Sequence, residues 1–168
     1  MPVLTCSRTN HDSYSLRRPG NLLNDFGVIN MTELNKQPFV WPVRVYFEDT
    51  DAGGVVYHAR YLNFFERART ELMRHRGVSM TELMRDHNLI WVVLDMNIRF
   101  RQAAKLDDEL LVSTELAWNK GLRIGFEQRM TRKTDGVLIA TADVSAVMLY
   151  ADSLKPARMP AWIRAELE

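Results

Sequence analysis

A carboxylate and an imidazole lie close together in the sequence, on either side of two glycines. Asp51 stands seven positions before His58, and Gly53 and Gly54 between them let the chain turn sharply and let a ligand approach the backbone closely. An ionised aspartate in such a position can attack a carbonyl carbon directly or deprotonate a water that attacks it. The segment therefore predicts acyl chemistry and leaves both routes open.

The same segment leads into a helix whose first amides have no obvious cap. No Ser, Thr, Asp or Asn lies between Gly54 and Tyr61, so the first N–H groups lack a side-chain acceptor. Free N–H groups at a helix start can polarise a carbonyl and stabilise the oxyanion that forms on attack. The chain also has no G-x-S-x-G segment, which argues against a serine hydrolase of the common type.

Other interpretations of these residues remain open. His58 alone is more often a structural histidine than a catalyst. Glu48 and Asp49 are interpreted as solvated loop charges or as ligands for the turn's own amides. Together with Asp51 and His58 they could imitate a metal site. Carboxylates on a loop predict a metal poorly, so we expect neither metal nor cofactor.

One strand and one long helix flank the glycine segment. Val43, Val45 and Phe47 alternate with polar residues, which predicts a half-buried strand. After the glycines, apolar residues recur at helical spacing at Tyr61, Phe64, Phe65, Ala68, Leu72 and Met73. Charged residues, including Arg69, fill the other helical positions, and Gly77 supplies a stop signal.

The second half of the chain alternates as strands. Ser79 and Glu82 have capping-box spacing and predict a short helix first. Four strands are predicted around 92–100, 110–118, 122–130 and 137–150. The segments NKG (119–121) and KTDG (133–136) suit hairpin turns, and a last helix is predicted over 161–167. This order predicts an α+β domain in which a curved sheet covers the long helix.

Composition limits the class of protein. The 168 residues, 46% of them hydrophobic, suit one domain, here 41–168, after an aperiodic stretch at 1–40 that we expect to be flexible. A net charge of +1 provides no general attraction to nucleic acid and at most a peripheral association with membranes. The single cysteine, Cys6, excludes an intrachain disulfide and suits the cytoplasm.

A long run of residues resembles a known family. The segment VRVYFEDTDAGGVVYHARYLNFFERARTELMR (43–74) is similar to the 4-hydroxybenzoyl-CoA thioesterase family. Its E-D-T-D-A-G-G-V-V-Y-H stretch more narrowly resembles the branch associated with the Tol-Pal cell-envelope system. FRQAAKLDDEL (100–110) resembles the next shared block, and the similarity in pattern extends over about 41–160.

The resemblance implies a hotdog fold, with five antiparallel strands wrapped around the long helix. It also implies dimers or tetramers with active sites at the dimer interface. The family's catalytic aspartate falls on Asp51, its histidine on His58, and the amide that binds the thioester oxygen on the Tyr57–His58 region; we expect Gly54, Val56 and Tyr57 to contact substrate. Two further residues are singled out by the resemblance. Phe47 departs from the pattern, because similar sequences often have tyrosine there. A related hotdog subgroup carries its catalytic glutamate on the long helix, which makes Glu66 the second-choice catalytic carboxylate.

The implied activity is hydrolysis of short- to medium-chain acyl-CoA, or of acyl groups on acyl carrier protein. Coenzyme A phosphates need cations, and Lys120 and Arg123, with Lys155 and Arg158, are the candidates to gather near them at a dimer interface. The alternative for any one of these four is a solvated surface charge. Two alternatives remain: a hotdog enoyl-thioester hydratase, and a non-enzymatic acyl-carrier or envelope-complex scaffold.

Overall fold

The computed structural model describes residues 38–167, and the expected flexible tail, apart from its last three residues, lies outside them. The strands are β1 (Phe39–Arg44), β2 (Leu89–Phe100), β3 (Glu109–Asn119), β4 (Arg123–Arg132) and β5 (Leu138–Tyr150). The helices are α1 (His58–His75), α2 (Met80–His87) and α3 (Ala161–Leu167). No helix in this part of the chain is long and apolar enough to cross a membrane.

The strands form one antiparallel sheet in the order β1-β3-β4-β5-β2. The hairpins β3–β4 and β4–β5 turn at the two predicted segments, where Gly121 and Gly136 have φ of 78° and 69°. Those left-handed values favour glycine because it has no Cβ. The predicted α+β class and five-stranded sheet are therefore confirmed.

Helix α1 lies on the sheet through the predicted apolar stripe. Phe64, Phe65 and Ala68 have no exposed surface, and they belong to a core that includes Leu110, Val112, Ile124, Met130, Ile139 and Met148 from the sheet. This burial is the main source of the stability of α1, since helices in proteins gain more stability from packing of an apolar face than from propensity. The position of α1 on the sheet therefore fixes the point at which the loop before His58 must end.

The first strand ends earlier than predicted. We expected alternation through Phe47, but β1 ends at Arg44 and Phe47–Asp49 form a short 3-10 turn. The Asp49 carboxylate accepts the Tyr46 N–H at 2.9 Å and so favours the tight turn over a continued strand. Phe47 is consequently 81% exposed. Strand β1 also begins at Phe39, two residues before the expected domain boundary.

Strand β2 does not keep one face toward the core along its whole length. A bulge between Val93 and Asp95 shifts the register against β5 and reverses the alternation. Trp91 before it and Met96 after it pack on the core, whereas Leu94 is 46% exposed. The alternation of apolar residues at every second position from 92 to 100 in the sequence predicts one shared face, and this prediction is wrong for part of the strand.

Arg69 occupies a position that the helical pattern assigned to the polar face, yet it is only 6% exposed. Its Nη1 donates to Gln128 Oε1 at 2.7 Å, and its Nη2 pairs with the Glu66 carboxylate. Gln128 Nε2 in turn donates to the Phe65 carbonyl and to Thr114 Oγ1, at 3.0 and 2.9 Å. Burial lowers the pKa of Arg69, and the neighbouring Glu66 opposes this effect.

Candidate active site

The loop before α1 folds around Asp51. Its Oδ1 accepts the Gly53 N–H at 2.8 Å, its carbonyl accepts the Gly54 N–H at 3.0 Å, and its own N–H donates to the Val55 carbonyl at 2.9 Å. Gly54 has φ of 72°, a conformation that favours glycine. Asp51 is exposed and lines an open hollow with Phe47, Thr50, Ala52, Gly54 and Leu106.

The first turn of α1 leaves amide donors free. Tyr57 precedes the helix without a side-chain cap, and its own N–H is taken by the Asp49 carbonyl at 2.9 Å. The N–H groups of His58 and Ala59 have no acceptor within residues 38–167. The free donors are therefore the amides of His58 and Ala59, and not that of Tyr57. No pattern in the sequence singles out Ala59.

The second block of the resemblance holds the loop in place. Val56 donates its N–H to the Ala104 carbonyl at 2.9 Å, and the Ala104 N–H donates to the Tyr61 hydroxyl at 3.1 Å. Burial raises the pKa of Tyr61, so its hydroxyl stays neutral at physiological pH. The same block is tied to β4, where Arg132 Nε lies 3.1 Å from Asp108 Oδ2.

Asp49 differs from what its place on a loop suggests. It does serve as a ligand for the turn's own amide at Tyr46, one of the two alternatives, but it is 2% exposed and therefore not solvated. Its Oδ1 lies 3.3 Å from Arg60 Nε. Glu48 beside it has a side chain that is 72% exposed.

The two other predicted catalytic residues, His58 and Glu66, do not line the hollow. The His58 ring contacts the Tyr57 ring at a tilt of 50°, with centroids 4.3 Å apart, and no hydrogen bond joins it to Asp51 in the described residues. Glu66 lies two turns further along α1 and lines a different pocket, with Arg69, Trp91 and others. The described residues contain no group of three His, Cys, Asp or Glu side chains placed to hold a metal.

The predicted cations gather at one end of the sheet. The Met159 N–H donates to the Gly121 carbonyl at 3.0 Å, which brings the C-terminal segment to the β3–β4 turn. The four side chains are exposed and form no ion pair within residues 38–167: Lys120, Arg123, Lys155 and Arg158. The 11 residues of β3 separate this end from the Asp51 loop, a span of roughly 35 Å at 3.4 Å per residue.

Comparison with known families resolves the class of the protein. The family model described as the thioesterase-like superfamily matches residues 45–167, which include the Asp51 loop, α1 and the last four strands. The chain belongs to the thioesterase-like superfamily. A superfamily relative, the acyl-CoA thioesterase YbgC of Haemophilus influenzae, is 47% identical over 127 residues, which cover 76% of this chain and 92% of the relative.

Solved structures of the superfamily share the architecture. A probable thioesterase from Bartonella henselae has a TM-score of 0.70 at 36% identity, covering 74% of this chain and all of that one. A 1,4-dihydroxy-2-naphthoyl-CoA thioesterase from Synechocystis has a TM-score of 0.73 at 21% identity, covering 78% and 96%. The second likeness shows the fold alone. The predicted hotdog fold is thus confirmed.

Proposed function

We propose that this protein hydrolyses acyl-CoA thioesters and that Asp51 is its catalytic carboxylate. The observation that carries the proposal is the pairing of an exposed carboxylate with unoccupied helix amides, at His58 and Ala59, a few residues away in the same loop and helix start. The H. influenzae relative, named an acyl-CoA thioesterase, supports the substrate class. Short- to medium-chain acyl groups are the proposed range, on CoA or on acyl carrier protein.

The proposed chemistry uses the helix start as an oxyanion site. The thioester oxygen accepts the His58 and Ala59 N–H groups, which stabilise the negative charge that develops when the carbonyl carbon is attacked. Asp51 either attacks that carbon, giving a mixed anhydride and releasing the CoA thiolate, or takes a proton from the attacking water. In the first route, water then hydrolyses the anhydride and regenerates the carboxylate.

The deciding experiment is Asp51→Asn, which keeps the size of the side chain and removes its charge. Hydrolysis of a panel of acyl-CoA thioesters, followed by thiol release, should fall more than about a hundredfold, because acid–base groups contribute about 10²–10⁴-fold. Binding of a non-hydrolysable acyl-CoA thioether should persist.

The matched control for that experiment is Glu66→Gln, which neutralises a carboxylate that lies on α1 and does not line the Asp51 hollow. It should retain most activity. If Asp51→Asn hydrolyses normally while Glu66→Gln is dead, the catalytic carboxylate lies on α1. If the purified protein hydrolyses none of the thioesters, the scaffold alternative gains support, and water addition to an enoyl-CoA would support the hydratase.

We also propose a dimer, formed at the β2 edge of the sheet. Strands β1 and β2 are the edges of the sheet, and β2 exposes three adjacent apolar residues, Val92, Val93 and Leu94, by 36%, 43% and 46%. An exposed apolar edge favours pairing with another chain. Light scattering at micromolar concentration should show a dimer or larger species, and Leu94→Lys should shift it toward monomer. A fully active wild-type monomer would contradict this.

In such a dimer, the cations at the β3–β4 end are proposed to bind CoA phosphates at the partner's site. Their distance from Asp51 in the same protomer supports this arrangement over one within a single chain. A cytoplasmic location and membership of the branch associated with the Tol-Pal system are likewise proposals. They are supported by the single Cys6 and by the segment at 48–58.

A further inference from the structure

Asp49, two residues before Asp51, is the most deeply buried carboxylate in the described part of the chain. We propose that Asp49, through its ion pair with Arg60, is a positioning residue that sets the distance between the Asp51 carboxylate and the free amides of α1. This inference rests on the proposed role of Asp51. Asp49 itself does not line the hollow where the substrate would bind.

The carboxylate of Asp49 connects the loop to elements on both sides. One oxygen, Oδ2, accepts the Tyr46 N–H at 2.9 Å, just after β1. The other, Oδ1, lies 3.3 Å from Arg60 Nε, in the first turn of α1. A single side chain therefore ties the end of the strand to the start of the helix across the loop that carries Asp51.

Arg60 strengthens this connection through the backbone. Its guanidinium also donates to the Glu48 carbonyl, at 2.8 Å from Nη2 and 3.3 Å from Nε. Its own side chain is only 28% exposed, so water competes weakly for these contacts. The Glu48 carboxylate, by contrast, is 3.8 Å from Nη2 and largely solvated, which makes its contribution small.

The main chain of Asp49 adds the link that bears on catalysis. Its carbonyl accepts the Tyr57 N–H at 2.9 Å, directly before the amides of His58 and Ala59. The residue thus fixes the backbone on the loop side and on the helix side of the proposed oxyanion site. A catalytic group displaced by about 1 Å can lose about a hundredfold in rate, so small movements at Asp49 should affect turnover.

The structure also separates this role from simple stabilisation of the core. The core residues of α1, such as Phe64 and Phe65, pack with the sheet, and the loop contributes Val56 to the same core. Val56 is also held by its hydrogen bond to the Ala104 carbonyl, which does not involve Asp49 or Arg60. Loss of the ion pair should therefore loosen the 48–57 loop while the sheet and helix stay folded. The expected signature is a change in turnover with little change in substrate binding.

The experiment compares Asp49→Asn, Arg60→Met and the double variant with wild type, using the intact chain well below its melting temperature. Asparagine can still accept the Tyr46 N–H but cannot pair with the guanidinium. We expect kcat to fall about ten- to a hundredfold in each single variant, with KM and the affinity for an acyl-CoA thioether within about threefold. The double variant should fall no further than the worse single one, because both remove the same interaction.

Two measurements separate positioning from unfolding. Calorimetric titration with the thioether counts binding sites, and the count should stay at the wild-type value per protomer in both single variants. Glu48→Gln is the matched control, since it removes the exposed carboxylate next to the same guanidinium, and its kcat should stay within about twofold. If Asp49→Asn does not fold, Arg60→Met carries the test alone.

The outcomes distinguish this inference from the proposed function. A wild-type kcat in Asp49→Asn and Arg60→Met, or a fall in kcat that matches the lost binding sites, would overturn the positioning role. So would additive losses in the double variant. If Asp51→Asn is inactive in either case, the proposed function stands; if Asp51→Asn is fully active, the proposed catalytic carboxylate fails and the positioning role fails with it.

Discussion

The two ends of helix α1 are built in opposite ways. At the C-terminal end, the Gly77 N–H donates to the Arg74 carbonyl and the Val78 N–H to the Met73 carbonyl, at 3.0 and 2.8 Å. This is the Schellman arrangement, with Gly77 in the left-handed conformation and Val78 fully buried. At the N-terminal end, no side chain caps the helix and no acidic residue lies in the first turn.

The C-terminal end of α1 is therefore arranged for stability, and the N-terminal end is arranged to bind a ligand. The capped end satisfies carbonyl groups that would otherwise lose hydrogen bonds, so changes there should affect stability. The uncapped end leaves N–H donors available at the cost of helix stability, as expected where a ligand supplies the missing acceptor. Three substitutions test this contrast, one after another in decreasing size of effect.

The largest effect is expected for His58→Pro, which deletes one free amide. Tyr57 has φ of −59° and ψ of 131°, a conformation suited to a residue before proline, and proline is well tolerated at the first helical position. The helix should therefore remain. Loss of one oxyanion donor costs about 10²–10³ in kcat.

His58→Ala is the control for that variant, because it keeps the amide and removes the imidazole. Steady-state kinetics should place His58→Pro about a hundredfold below His58→Ala. If the two variants are equally impaired, the imidazole is the catalytic group. The free amides at the start of α1 then have no role in catalysis.

A smaller effect is expected for Gly53→Ala at the same end. A Cβ at this position would lie 3.0 Å from Asp51 Oδ1, closer than ordinary van der Waals contact, so the carboxylate must shift by a few tenths of an ångström. We expect kcat to fall about tenfold, because alignment of the reacting groups is worth several kcal/mol. The melting temperature should hardly change. Unaltered turnover would show that Asp51 tolerates displacement.

The smallest effect is expected for Gly77→Ala at the capped end. A Cβ at φ of 74° costs about 1 kcal/mol, which should lower the melting temperature by a few degrees. Gly77→Asn should lose less, since asparagine tolerates this conformation better. Below the transition, kcat should match wild type. A loss of activity without a loss of stability would contradict the division between the two ends.

Much of the fold could be predicted because its signals are local. The periodicity of the apolar residues defined α1, Gly77 its end, Ser79 the start of α2, where its side chain lies 3.4 Å from the Glu82 amide, and glycines the two hairpins. Each of these depends on residues within a few positions of one another. The glycine segment with Asp51 is local too, which is why a sequence pattern could single it out.

The features that escaped prediction depend on distant partners. Arg69 is buried because Gln128, far along the chain on β4, accepts its hydrogen bond. Asp49 is buried because Arg60 turns back over the loop, and no helical or strand period links positions 49 and 60. The bulge in β2 is likewise visible only in its register with β5. Such contacts are properties of the assembled tertiary structure.

The pairing of β2 with β5 also has a consequence for how the chain is made. Leu89 pairs with Tyr150 and Phe100 with Ala140, so β2 leaves the ribosome well before its partner strand exists. At about 5–20 residues per second, synthesis of the intervening chain takes several seconds. During that time β2 has no strand partner, because β3 pairs with β1 and β4 on the other side of the sheet. We therefore expect newly made chains to need chaperone protection at β2 until β5 emerges.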